Sequence, residues 1–221
     1  MRVLVLDSAV TRHTAALVVD GEVLRVRSED RGERKDAALP AMAREVLGDR
    51  DDRPGLDCIA VTIGPGSFTG IRAGLALAHG LGAGLGVDVI GVTVGEAIAD
   101  SFPHLGERIL WVVTASRRGH IFLERTDGVL SLAVDALPAP PAKVAIAGGA
   151  ALQVAARLAA IGANVMLTDA RFPQARHIAA VAARRMAGTL TPREARPLYV
   201  DPAQAGLPAG GLRPPPSAAG P

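Results

Sequence analysis

Cys58-Ile59-Ala60-Val61-Thr62-Ile63 runs into Gly64-Pro65-Gly66-Ser67-Phe68-Thr69-Gly70-Ile71-Arg72, and this passage from an apolar run through a glycine loop to a helix start decides the fold. The β-branched run reads as a buried strand, Pro65 and its flanking glycines turn the chain, and Ser67 or Thr69 is placed to cap a helix opening near Ile71. A helix start presents free N–H groups and favours an anion. The loop nevertheless lacks the lysine of a P-loop and the spacing of a dinucleotide fingerprint, so a phosphate reading rests on glycine alone. Ser67 departs from the Gly-x-Ser-x-Gly nucleophile elbow at its first glycine, which leaves a capping role ahead of a hydrolytic one.

The helix that follows carries Gly70, Gly74, Ala78, Gly82 and Gly86 at every fourth residue, with Ala76, Gly80 and Gly84 as a second row. Each interior glycine costs a helix about 0.8–1.0 kcal/mol against alanine, so close packing must compensate. Two partners fit a smooth small-residue face: another helix, or the chain's own sheet. Both hold together if the two rows lie on opposite faces.

Outward from this helix, residues 3–6, 14–19 and 22–27 read as three strands, the last two joined by Asp20-Gly21, a pair suited to the positive φ angles of a two-residue hairpin. Residues 36–47 form a helix with Leu39, Met42, Ala43 and Val46 on one face and Gly48 as its stop. A fifth strand is expected over 87–94. After Ser101-Phe102-Pro103 the pattern restarts with strands at 109–114 and 120–124 around Arg117-Arg118-Gly119, and continues with a strand at 144–147. Helices over 150–160 and 173–187 close the ordered part, and residues 138–141 are a proline-rich connector. The expected division is a first lobe at 1–102, a smaller second lobe at 103–201 that includes the last helix, and a disordered tail at 202–221 rich in Pro, Gly and Ala.

Composition bounds the rest. The chain has 221 residues, 49% hydrophobic, enough for a sizeable core, and a net charge of +2 that gives no reason to expect direct nucleic-acid binding. Lys35 and Lys143 are its only lysines. Cys58 stands alone in a predicted buried strand, so a reducing cytoplasm is expected and no disulfide framework. No basic-then-apolar leader precedes the first strand, and the longest charge-free stretch, 73–87, is shorter than the roughly 20 residues of a membrane span. Neither secretion nor a membrane is expected.

His13, His79, His104, His120 and His177 never fall four apart with an acidic partner, and no metal site is expected. Asp7 ends the first strand, where a carboxylate serves the nucleotide's metal in two-lobed ATPases. Its successors Ser8-Ala9-Val10-Thr11-Arg12 contain no glycine that would let a backbone cradle phosphate. The second lobe offers Thr114-Ala115-Ser116-Arg117, without an aspartate, and Gly148-Gly149 as a remaining base contact. Asp7, Gly148 and Gly149 are therefore read as a vestigial nucleotide site.

The block Thr62 to Ala76, with Leu6-Asp7-Ser8, the Asp20-Gly21 hairpin, Arg117-Arg118-Gly119 and Pro197-Leu198-Tyr199, resembles the TsaB family, also called YeaZ. Its members are the dimerization subunits of the bacterial machinery that makes threonylcarbamoyladenosine in tRNA. The resemblance implies an α/β fold of two lobes, actin-like and sugar-kinase-like (ASKHA, RNase H-like), with a reduced second lobe and no catalysis or cofactor of its own. It implies pairing with a TsaD homologue, recruitment of the ATPase TsaE, a homodimer when alone and contact with tRNA only through the complex. The partner-binding face maps onto helices 36–48 and 69–86, through Leu39, Met42, Ala43, Val46, Gly70, Ala73, Gly74, Leu77 and Ala78. Departures are residues 31–36, without the family's usual histidine, Ala115 in place of an aspartate, and Val200-Asp201 after Tyr199. The alternative is an independent nucleotide-dependent transferase or kinase of the same fold, using Asp7 and the Gly148-Gly149 turn.

Overall fold

The computed structural model describes residues 1–30, 38–48, 55–116 and 119–200. The expected tail, and the departures at 31–36 and at Asp201, lie outside them. β1 (Arg2–Asp7), β2 (Arg12–Val19) and β3 (Glu22–Asp30) form an antiparallel meander. β4 (Cys58–Thr62) joins β1 in parallel and β5 (Asp88–Val92) joins β4, giving the order β3-β2-β1-β4-β5. Asp20 and Gly21 turn the hairpin with φ of 50° and 85°, as a two-residue turn of this hand requires.

Alternation sorts the central strands onto two faces. Leu4, Leu6, Ile59 and Val61 point to one side, where α1 (Ala38–Leu47) and α2 (Phe68–Leu85) cover them. Val3, Val5, Cys58 and Ala60 point to the other, under Ile178, Val181 and Ala182 of α5 (Ala175–Met186). α5 was expected with the second lobe. It packs on the first sheet because β1 and β4 are apolar on both faces, and strands of that kind need a cover on each side.

A second sheet repeats the plan. β6 (Ile109–Ala115), β7 (His120–Arg125) and β8 (Gly128–Ala133) are antiparallel, and β9 (Val144–Ala147) and β10 (Val165–Leu167) add in parallel beside β6. Its order β8-β7-β6-β9-β10 matches that of the first sheet, sense for sense. The first crossover holds α1 between β3 and β4. The second keeps only a 3₁₀ turn, Val134–Ala136, before the proline-rich connector, and this is its reduction. Trp111, Val113, Ile121 and Leu123 pack on α4 (Ala151–Ala160), while Val112 and Ala147 join the core of the first lobe. The architecture is a two-lobed, actin-like α/β fold.

Three elements differ from the sequence reading. The expected strand over 87–94 ends at Val92, because Thr93 caps a further helix, α3 (Val94–Ala99), in a capping box with Glu96. β8 and β10 are additional; β10 is three residues long, too short for a periodic signal.

Candidate partner face and closed cleft

Ser67 caps α2, its hydroxyl accepting the Gly70 amide at 3.3 Å, and Gly86 ends the helix in the left-handed conformation at φ 68°. Between them the two small-residue rows have opposite fates. Gly70, Gly74, Ala78 and Gly82 are buried against the chain's own sheet. A Cβ on Gly74 would lie 2.6 Å from Ser8 Oγ, and one on Gly82 would lie 2.6 Å from Val89 Cγ2 and 3.0 Å from the Val87 carbonyl oxygen. The Ser8 hydroxyl donates to the Gly70 carbonyl at 2.7 Å, so the β1–β2 turn is fastened beneath the helix. Ala76, Gly80 and Gly84 face outward, where a Cβ on either glycine meets nothing within 4 Å.

Of the residues expected on the partner face, seven are therefore interior. Leu39, Met42, Ala43 and Val46 form the inner stripe of α1 and belong to the core, as do Gly70, Gly74 and Ala78 of α2. The same 3.6-residue periodicity that marked them as a face marks the face a helix buries at home. Only Ala73 and Leu77 are partly exposed. With Ala76, Gly80 and Gly84 they make the open strip of α2.

At the head of this strip Phe68 is 52% exposed, and the Arg72 guanidinium lies 3.7 Å from its ring centroid. Arg72 Nη2 also donates to the Tyr199 hydroxyl at 3.0 Å. At its foot a shallow groove of about 400 Å³ is lined by His79, Gly82, Ala83, Gly86 and Val87 to Val89. The C-terminal segment crosses here: His79 Nε2 meets the Ala195 carbonyl oxygen at 2.8 Å, the Leu198 amide donates to Ile63 at 2.9 Å, and Ile90 bridges Glu194. Sequence alone did not reveal this cluster, because its members are more than 100 residues apart.

The cleft end of the strands is filled by the chain itself. Asp7 is buried, and its Oδ1 accepts the Thr62 hydroxyl at 2.6 Å and the Ala9 amide at 3.0 Å. Burial outweighs these donors and pushes the carboxyl up to about 6. The Ser67 amide donates to the Ala9 carbonyl at 2.6 Å, and a Cβ on Gly66 would overlap that oxygen. The loop after β4 thus sits on the turn after β1, where a phosphate-binding hairpin would need open backbone. Gly148 similarly lies against the Val113 carbonyl of β6, and its amide donates to Ala170 at 2.7 Å. Gly149 is looser, with the Arg171 carbonyl oxygen 4.0 Å from where its Cβ would be. Asp7 and Gly148 each bond within their own lobe. Among the described residues no group of three or more His, Cys, Asp or Glu side chains could hold a metal ion, and no helix is long and apolar enough to cross a membrane.

A protein of Mycobacterium tuberculosis, Rv3421c, is 36% identical over 161 residues, covering 69% of this chain and 71% of its own length. The chain belongs to the same family as that protein. Residues 33–135 match the family model of TsaD, tRNA N6-adenosine threonylcarbamoyltransferase. A tRNA N6-adenosine threonylcarbamoyltransferase of Cereibacter sphaeroides is 36% identical over 111 residues, which is 46% of this chain but only 29% of the enzyme. YeaZ from Pseudomonas aeruginosa superposes with a TM-score of 0.71 at 21% identity, over 90% of this chain and 99% of that one. This chain therefore has the YeaZ fold and shares a TsaD-type segment that includes α1, α2 and α3.

Proposed function

We propose that this protein is a non-catalytic subunit of the machinery that threonylcarbamoylates tRNA adenosine, pairing with a TsaD homologue in the cytoplasm and recruiting the ATPase TsaE. The observation that carries the reading is the open strip of α2, Ala73, Ala76, Leu77, Gly80 and Gly84, on a segment matching the TsaD family. With Leu77 as its one large side chain, this strip lets a partner helix approach closely, and little side-chain entropy is lost on docking. The same strip accounts for a homodimer when the partner is absent, since two copies can cover each other. The cleft supports the absence of catalysis, because the loop carrying Gly66 occupies the turn after Asp7. Contact with tRNA then runs through the complex.

The test is Gly80→Leu. Co-purification with the TsaD homologue should fall at least tenfold while the isolated chain melts no lower, because nothing in the monomer lies within 4 Å of the new Cβ. Undiminished co-purification would overturn the α2 strip as the docking face. Calorimetry with ATP and magnesium separates the rival reading as an independent transferase or kinase. A Kd below about 10 μM on the isolated chain, roughly 7 kcal/mol of binding, favours that rival.

A further inference from the structure

The two ends of α2 carry opposite charges, each beside an exposed apolar side chain. At the head, Phe68 is 52% exposed and the Arg72 guanidinium lies on its ring, one nitrogen donating to Tyr199. Arg72 is itself exposed and pairs with no carboxylate of the described residues. At the foot, Leu85 is 42% exposed, and Asp88 is exposed and equally without a cation. β5 runs back alongside the helix, so Asp88 lines the groove together with His79, Gly82 and Ala83. The other charges flanking the foot are engaged within the chain: Glu194 pairs with Arg196 at 2.8 Å, and the Asp57 carboxylate accepts the Arg2 amide at 2.6 Å.

The two ends complement each other and repel themselves. A second copy laid parallel on α2 would oppose arginine to arginine and aspartate to aspartate, which is unfavourable. An antiparallel copy related by a two-fold axis brings each head to the other's foot and makes the same contact twice. α2 has 18 residues, which sets Phe68 and Leu85 about 26 Å apart at 1.5 Å per residue. A two-fold axis beside Ala76 and Leu77 then places Phe68 of one copy opposite Leu85 of the other. Ala73 faces Gly80, small against small, so the helix axes can approach to about 8 Å at a shallow crossing of about 20°. Asp88, level with Gly82 and Ala83, stands across from residues 70–71, next to Arg72.

We propose that a second copy of this chain docks antiparallel on α2, head to foot, with Arg72 of each copy against Asp88 of the other and Phe68 against Leu85. The pairing rests on the outer face of α2 being a docking face, the reading proposed above, and adds the register in which a second copy occupies it. Stacking on Phe68 and the bond to Tyr199 hold the guanidinium in place before the second copy arrives, so less side-chain freedom is lost on pairing.

Sedimentation equilibrium of the full chain alone measures the Kd of this dimer. Arg72→Glu and Asp88→Arg should each raise it at least about tenfold, because each opposes like charges twice per dimer, and the double exchange R72E/D88R should return it to within about threefold of the unaltered chain. Recovery in the double variant is a result that general loss of fold cannot imitate. A chain that stays monomeric at about 100 μM, single variants that dimerise undiminished, or a double variant that does not recover would overturn the proposal. Should R72E fail to fold, Asp88→Arg alone decides: a dimer weakened about tenfold supports the contact, and an unchanged one overturns it. Failure of this pairing is separable from failure of the reading it rests on. A Gly80→Leu variant that loses the TsaD homologue but still dimerises leaves the α2 face to that partner and removes the second copy from it.

Discussion

The inner and outer faces of α2 have nearly the same composition and opposite roles. Gly70, Gly74, Ala78 and Gly82 lie on the sheet and on Ser8, with no room for added atoms, whereas Ala76, Gly80 and Gly84 face open space. The difference teaches that a glycine row is not in itself a docking signal. On one face glycine is required by what already touches it. On the other it is tolerated at a cost in helix propensity, and an approaching partner would explain that cost.

The sharpest way to break this contrast is Gly74→Leu, which forces a branched side chain into the place of Ser8 Oγ. It should cost about 3 kcal/mol or more by overpacking, read as a fall in melting temperature. An unchanged melt would show that the inner face is not closed. Next in size is the pH dependence of the turn beneath that face. Asp7 holds a proton in the folded chain up to about pH 6 that the unfolded chain releases near 3.8, so stability drops as pH rises through this window and levels above it. The contribution is about 2–3 kcal/mol. Asp7→Asn should make the stability profile shallower there by about 1.4 kcal/mol per pH unit, measured by denaturant titration. Gly82→Ala should cost about 1–2 kcal/mol, since its Cβ meets Val89 and the Val87 carbonyl. Ser67→Ala should cost about 1 kcal/mol through the lost cap. Smallest, and opposite in sign, are Gly80→Ala and Gly84→Ala, which should each raise stability by up to about 1 kcal/mol. If these two alanines also lower the melting temperature, the two faces do not differ as described.

Much of the fold was legible because its signals are local. The Asp20-Gly21 hairpin, the apolar runs of β1, β4 and β9, the capping serine at position 67 and the inner stripe of α1 all follow from neighbours a few residues apart. Thr93-Val94-Gly95-Glu96 is equally local, a capping box, and the expected strand over 87–94 ran past it. The candidate face was legible only in part. Periodicity marks the small and apolar residues of α1 and α2 but does not distinguish a stripe turned toward the chain's own sheet from one turned toward a partner, and Leu39, Met42 and Gly74, expected on a partner face, are buried within the first lobe. Asp7 was readable as a strand-end carboxylate without a phosphate turn. That the Gly66 loop sits on Ala9 required the fold. Glu124 of β7, whose carboxylate accepts the Thr93 hydroxyl and the Gly95 amide at the start of α3, gave no local signal, because its partners are about 30 residues earlier and the proximity comes from the pairing of two lobes.

By itself the sequence determined the units: two runs of strands, the helices between them, the cap and hairpin chemistry, and the resemblance carried by Thr62 to Ala76. These depend on φ preferences and on periods of two and 3.6 residues, which a short segment expresses alone. Tertiary structure alone decided which row of α2 is core and which is open, that α5 returns to cover the first sheet, and that Glu124 reaches the start of α3. Each of these depends on which surfaces the packed sheets leave uncovered, and burial of that kind belongs to the assembled chain.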